Sequence, residues 1–128
     1  MIPVTCAIII SEGMVLATQR GELMPHPLKW EFPGGKVKNG EEAEICIVRE
    51  IREELGIEIT VSQPLPVVEY DYGTGSIRLI PFLCRQKGKS KIVLSEHKSY
   101  RWMAPTDLAE LDWLEADIEV IGLLGKLI

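Results

Sequence analysis

Three glutamates, Glu50, Glu53 and Glu54, stand close together in the stretch GGKVKNGEEAEICIVREIREELGI, which runs from Gly34 to Ile57. At about 100° per residue of a helix they fall at relative angles of about 0°, 300° and 40°, within roughly a third of the circumference. Like charges four apart, as in Glu50 and Glu54, destabilise a helix by about a few tenths of a kcal/mol. A positive group is therefore expected among them. Their stripe continues through Ala43, Cys46 and Ile47, while Ile45, Val48, Ile51 and Leu55 occupy the opposite arc. Such a helix is expected to lie between other elements, with its carboxylates lining a cleft. Grouped hard oxygen ligands suit Mg²⁺ or Mn²⁺, and no His or Cys neighbour stands at the spacing of a zinc site. A solvated acidic face is the other reading of the same charges.

The segment holding these residues has the marks of a helix. Asn39 can cap it, Glu42 follows three residues later as in a capping box, and Gly56 is placed to end it. Just before it, FPGGK sets Gly34 and Gly35 where the backbone can approach an ion or a substrate, because no Cβ intervenes. Upstream, PVTCAIII and MVLATQR read as two strands joined by a tight turn at Glu12 and Gly13. The stretch GELMPHPLKWEFPGG, with prolines on both sides of His26, is expected to be irregular and a candidate site loop.

Downstream, IEITVS, LPVVEYDY and IRLIPFLCR carry strand composition, with GTGS as a turn between the last two. KGKSK reads as a polar loop and YRWM as a short strand. PTDLAEL offers Thr106 as the cap of a short helix after Pro105. The tail has helical apolar spacing through Ile118, Ile121, Leu124 and Leu127, weakened by two glycines. The sum is an α+β fold: a mixed sheet, one central helix and one or two near the end.

At 128 residues a single domain over 1–128 is expected. The hydrophobic share of 46% and charged share of 26% are those of a folded globular chain, not a disordered one. A formal charge of -5 gives no electrostatic reason to bind a nucleic acid polymer, and a phosphorylated substrate would need cations. Cys6, Cys46 and Cys84 are odd in number and set among apolar residues, so buried free thiols in a reducing compartment are expected. The N-terminal run is short, lacks basic residues at its start and contains Pro3 and Thr5; neither signal peptide nor membrane span is expected, and the cytoplasm is the expected location.

From Gly35 the chain reads G-x5-E-x7-R-E-I-x-E-E-x-G-I, through Gly35, Glu41, Arg49, Glu50, Ile51, Glu53, Glu54, Gly56 and Ile57. This resembles a complete Nudix box, with no departure at any defined position. The resemblance covers nearly the whole chain and is closest to the MutT-like branch, through WEFPGGK, EYDY, SEHKSYRWM and EADIEVI. It implies an α/β/α sandwich around a mixed sheet with a central catalytic helix. The activity it implies is divalent-metal hydrolysis of a nucleoside triphosphate to monophosphate and pyrophosphate, acting in nucleotide pool sanitation. By resemblance, Glu50, Glu53, Glu54, Glu96 and the carbonyl of Gly34 hold Mg²⁺, with Mn²⁺ as a substitute. Arg49 pairs with Glu41, and Glu53 or Glu96 is the base. Arg20, Phe32 and Asp117 meet the nucleotide.

Each assignment has a plainer alternative. Glu96 could be a solvated loop residue and Asp117 an N-cap; Arg20 could flank a turn and Phe32 be core. His26 and His97 read as exposed loop histidines without a role. The substrate base is also open: MutT is associated with oxidised guanine nucleotides, whereas EADI resembles a sister branch acting on CTP and oxidised pyrimidine nucleotides. Hydrolysis of ADP-ribose or a dinucleoside polyphosphate, or nucleotide binding without catalysis, are the other classes.

Overall fold

The computed structural model describes residues 1–126. In chain order it has β1 (Ile2–Ser11), β2 (Met14–Gln19), β3 (Trp30–Glu31), β4 (Gly34–Lys36), α1 (Ala43–Leu55), β5 (Glu58–Pro64), β6 (Val68–Asp71), β7 (Ser76–Lys87), β8 (Ser99–Met103), a 3-10 turn (Pro105–Glu110) and α2 (Glu115–Leu124). The strands form one mixed sheet whose main path runs β3-β2-β1-β7-β5. β1 is its hub: it runs parallel to β7 and antiparallel to β2 and β4. The hairpin turn falls on Glu12 and Gly13, with φ of 51° and 75°. That left-handed pair matches the natural twist of the two strands it joins.

Alternation along β1 divides the core into two layers. Ala7 and Ile9 face α1 through Ile47, Ile51 and Leu55, whereas Cys6 and Ile8 belong to the layer that holds Val120 and Leu124 of α2. β2 behaves likewise, with Leu16 in the first layer and Val15 and Ala17 in the second. Strands covered on both sides need apolar residues at every position, which is why PVTCAIII reads as a continuous run. The result is the expected mixed sheet between helices. Cys6, Cys46 and Cys84 are buried free thiols, and no helix among the described residues is long and apolar enough to cross a membrane.

Several local expectations need correction. α1 begins at Ala43, with Glu42 at its cap position and no side-chain cap bond, so Asn39 does not cap it. The Glu41 carboxylate instead accepts the Lys38 amide at 3.0 Å, and Gly40 turns the chain at φ 78°. The backbone becomes helical only after that turn. Gly56 does end the helix, at φ 66°. On the same helix Ile45 is 58% exposed, so its apolar arc is narrower than the sequence pattern suggests.

The 3-10 turn starts at Pro105 after Ala104, which puts Thr106 inside its first turn and not at the cap. In α2 the buried residues are Ala116, Asp117, Val120 and Leu124, and Ile118 is exposed. Its inward face is displaced from the predicted stripe because a carboxylate, Asp117, occupies an inward position. Leu127 lies outside the described residues. The looser stretch after β2 also contributes β3 and β4, each too short to leave a pattern in sequence.

Two substitutions on α1 separate its faces. Ile51→Ala removes a fully buried side chain and is expected to cost about 2–5 kcal/mol in urea unfolding, while Ile45→Ala stays within about 0.5 kcal/mol. Equal losses for the two would contradict the packing described.

Candidate functional site

Arg49 organises the acidic helix. Its Nε donates to Glu41 Oε2 at 2.7 Å and its Nη2 to Glu41 Oε1 at 2.9 Å, a two-pronged pair. Its Nη1 reaches Glu50 at 2.9 Å and Glu53 at 3.1 Å. One guanidinium thus serves three carboxylates. The hydrogen bonds from Arg49 and the Lys38 amide lower the Glu41 carboxyl to about 2. The Arg49–Glu41 pair expected from the sequence is present, and it fastens the loop before α1 to the helix.

Gly34 lets β4 lie close against β1, and Gly35 lets Glu50 of the helix lie against β4. A Cβ at Gly34 would collide with the Thr5 carbonyl, and one at Gly35 with the Glu50 carboxylate. The sequence requirement for glycine here is therefore steric: a strand and a carboxylate occupy the space that side chains would fill.

Glu54 lies on the inner side of the same helix, and Arg49 makes no bond to it among the described residues. Its Oε2 is buried and has no hydrogen-bond partner among the described residues. Burial first, then the negative charge of Glu31, Glu50 and Glu96, raises its carboxyl to about 8, offset in part by the nearby Gly34 amide. A carboxylate so placed is short of positive charge. That unmet demand, in a set made only of hard oxygens, fits a divalent cation such as Mg²⁺. In the arrangement described, no three His, Cys, Asp or Glu side chains among the described residues converge closely enough to hold an ion on their own. Arg49 occupies the space between Glu50 and Glu53.

Beside Glu54 lies a polar web that the sequence did not announce. Glu31 on β3 accepts from Arg20 Nη1 at 2.8 Å and lies 2.9 Å from His97 Nε2. His97 Nδ1 is also buried without a hydrogen-bond partner among the described residues and stands 4.0 Å from Glu54 Oε2. His97 is 7% exposed, so the expectation of an exposed bystander is wrong for it. Its place in a polar loop suggested solvent; the fold closes that loop over β3. Arg20 does more than flank a turn, because its Nε also donates to the Pro25 carbonyl at 2.7 Å.

A cavity of about 440 Å³ connects these groups. Glu54, Glu31, Arg20 and Gly34 line it together with Phe32, Asp117, Tyr72 and His26. Asp117 is 4% exposed and its Oδ2 accepts the Phe32 amide at 2.8 Å. It is in the first turn of α2, whose cap position is Leu114, so the N-cap alternative is excluded. Burial first, then the charge of Glu31, raises the Asp117 carboxyl well above the ordinary carboxylate range, against the Phe32 amide and Arg20. Phe32 is both core and cavity wall, 2% exposed and 4.8 Å from Trp113 ring to ring.

Four predicted residues do not line the cavity: Arg49, Glu50, Glu53 and Glu96. Glu53 is about half exposed and held only by Arg49 among the described residues, and it does not line the cavity. Glu96 is exposed and also off the cavity wall, although its charge reaches Glu54. Glu31, Tyr72 and His26 line the cavity without having been assigned to it from sequence, and His97 stands behind Glu31, off the cavity wall. The first sits directly before Phe32 in WEFPGG, where alternation along the strand could have signalled a side chain on the face opposite Phe32.

The chain matches the NUDIX domain over residues 1–123. It belongs to the Nudix family and is a Nudix hydrolase. It is 32% identical over 121 residues to the CTP pyrophosphohydrolase of Escherichia coli K12, covering 94% of this chain and 89% of that one. It is 37% identical over 97 residues to the 8-oxo-dGTP diphosphatase of Buchnera aphidicola from Acyrthosiphon pisum, covering 76% of this chain and 77% of the relative. The solution structure of the E. coli ORF135 protein superposes with a TM-score of 0.85 at 31% identity, covering 99% of this chain and 90% of that chain. These likenesses support the MutT-like branch of this Nudix hydrolase, and the mixed fold agrees with them.

The Arg49–Glu41 clamp has a pH signature. The Glu41 carboxyl is lower in the folded state than its ordinary value of 4.5, so its contribution is fully present above about 4.5 and is lost as pH falls towards about 2. Thermal unfolding measured across that window is expected to lose stability more steeply in the wild type than in Glu41→Gln. Superimposable pH profiles would show that the clamp does not hold the loop.

Proposed function

We propose that this Nudix hydrolase, acting as one domain, cleaves a nucleoside triphosphate to the monophosphate and pyrophosphate with Mg²⁺, or Mn²⁺ in its place. One observation carries the reading: a single cavity is lined both by Glu54, whose Oε2 is buried without a hydrogen-bond partner among the described residues, and by Asp117, buried on α2. An anion with a polyphosphate at one end and a hydrogen-bonding base at the other fits both.

Glu50, Glu53 and Glu54 are the proposed ligands on α1, joined by Glu96 and the Gly34 carbonyl. When bound, the divalent ion neutralises the phosphates, acidifies the attacking water and stabilises charge on the departing pyrophosphate. The chain's own residues do the rest. Arg49 orients the carboxylates, and Glu53 or Glu96 takes the proton from water at a carboxylate oxygen. Both are exposed, so either can lose that proton to solvent. Arg20 steadies Glu31 on the cavity wall.

Phe32 and Asp117 address the base. Asp117 uses Oδ2 for the Phe32 amide, which leaves Oδ1 for the nucleotide. An ionised carboxylate accepts only, and favours an amino group such as cytosine N4. The raised Asp117 carboxyl favours a retained proton, and then it both donates and accepts. That pattern suits N3 and N4 of cytosine, or O6 and the N7 hydrogen of 8-oxoguanine. Cytidine and oxidised guanine triphosphates, as named for the two relatives, are the proposed substrates.

The test is a panel of CTP, dCTP and 8-oxo-dGTP with Mg²⁺, reading pyrophosphate against orthophosphate. Pyrophosphate release is expected from at least one of them and is abolished by a chelator. Glu53→Gln is expected to lower kcat on the order of 100-fold while the melting temperature stays within about 2 °C of wild type. Near wild-type turnover in that variant, or orthophosphate as the first product, would overturn the reading.

A further inference from the structure

The loop between β2 and β3 carries two residues in the left-handed region that are not glycine, His26 at φ 52° and Leu28 at φ 64°. His26 also precedes Pro27, and a residue before proline is driven towards extended backbone. Strain of this kind survives only where surrounding contacts impose it, and it gathers at ligand-contacting segments. Here the contacts are visible. Arg20 Nε holds the Pro25 carbonyl at 2.7 Å, the Leu28 amide donates to the Arg20 carbonyl at 3.2 Å, and the Arg20 amide donates to the Lys29 carbonyl at 2.9 Å. The residue that bonds Glu31 in the cavity wall therefore also pins the strained loop.

What the strain achieves is a ring position. The His26 imidazole lies 5.1 Å from the Tyr72 ring, tilted by 48°, and both line the cavity. Tyr72 is itself fixed: its hydroxyl accepts the Ala116 amide at 3.0 Å and its ring packs on Tyr70 at 4.6 Å. Ala116 adjoins Asp117, so the aromatic pair stands beside Asp117 on α2.

We infer that His26 is a substrate-contacting, affinity-determining residue, whose ring meets the planar base or the ribose face of the bound nucleotide beside Tyr72. This rests on the nucleotide reading given above. A flat, polarisable partner is the ligand chemistry that an aromatic ring at this place recognises. The competing explanation is local: His is one of the residues that tolerates left-handed backbone, and the loop would need nothing from its ring. Asparagine tolerates that backbone too, whereas phenylalanine keeps a ring and loses the tolerance. The two substitutions therefore pull the explanations apart.

The experiment measures dissociation constants of the four common nucleoside monophosphates and of pyrophosphate, with Mg²⁺, for wild type, His26→Ala, His26→Asn and His26→Phe. His26→Ala and His26→Asn are expected to weaken the tightest monophosphate about tenfold. His26→Phe is expected to stay within about threefold of wild type, and pyrophosphate binding to be equal in all four proteins. Asparagine binding as well as histidine, phenylalanine as weak as alanine, or an equal loss for pyrophosphate would each overturn the inference. A wild type that binds no monophosphate would overturn it as well. Should wild type bind monophosphate yet release no pyrophosphate from any triphosphate, the proposed reaction falls while the binding series still decides the role of His26.

Discussion

Crowding of like charge along one helix is the constraint to which the rest of the molecule answers. Two carboxylates about 4 Å apart repel by about 4 kcal/mol at an effective dielectric near 20, far more than an exposed helical pair costs. Arg49 relieves the outer half of the set, through Glu41, Glu50 and Glu53. Glu54, further in, keeps an oxygen without a hydrogen-bond partner among the described residues. An internal cation thus balances one side of the helix, and the other side is left with a demand that an external one can meet. Removing one member of such a part-buried charge set is more damaging than replacing the set whole, since the survivors lose their compensation.

The sheet makes that crowding tolerable. β1 is buried on both faces, so it can anchor α1 on one side and α2 on the other while β4 presents Gly35 to the helix. Glu50 fits because Gly35 has no side chain. Asp117 fits because α2 turns a polar residue inward among apolar ones and the Phe32 amide meets it at 2.8 Å. Both carboxyl groups are thus set by backbone placement, and Arg20, Glu31 and His97 form one connected polar web.

How far this was readable in sequence depended on the range of the forces involved. The hairpin was legible because Glu12 and Gly13 carry the turn locally, and the end of α1 because Gly56 does. The acidic set was legible because helical spacing alone brings Glu50, Glu53 and Glu54 to one face. The start of α1 was not, since the Glu41 carboxylate engages Arg49 eight residues on and a loop amide before it. Nor was His97, whose burial depends on Glu31, 66 residues away. β3 and β4, two and three residues long, exist only because β2 and β1 offer them edges. The inward face of α2 was misjudged for a related reason: Asp117 counts as polar in any periodicity, yet its partner is a backbone amide 85 residues distant.

The claim on which the chemistry stands is that a divalent ion settles against Glu54 and its neighbours. Anomalous diffraction from crystals grown with Mn²⁺ tests it most directly. The expected result is a manganese peak within ligating distance of Glu54 and of at least one of Glu50 and Glu53, lost in Glu54→Gln. Well-ordered crystals that show no manganese there, with Glu54 still lacking any cationic partner, would contradict it.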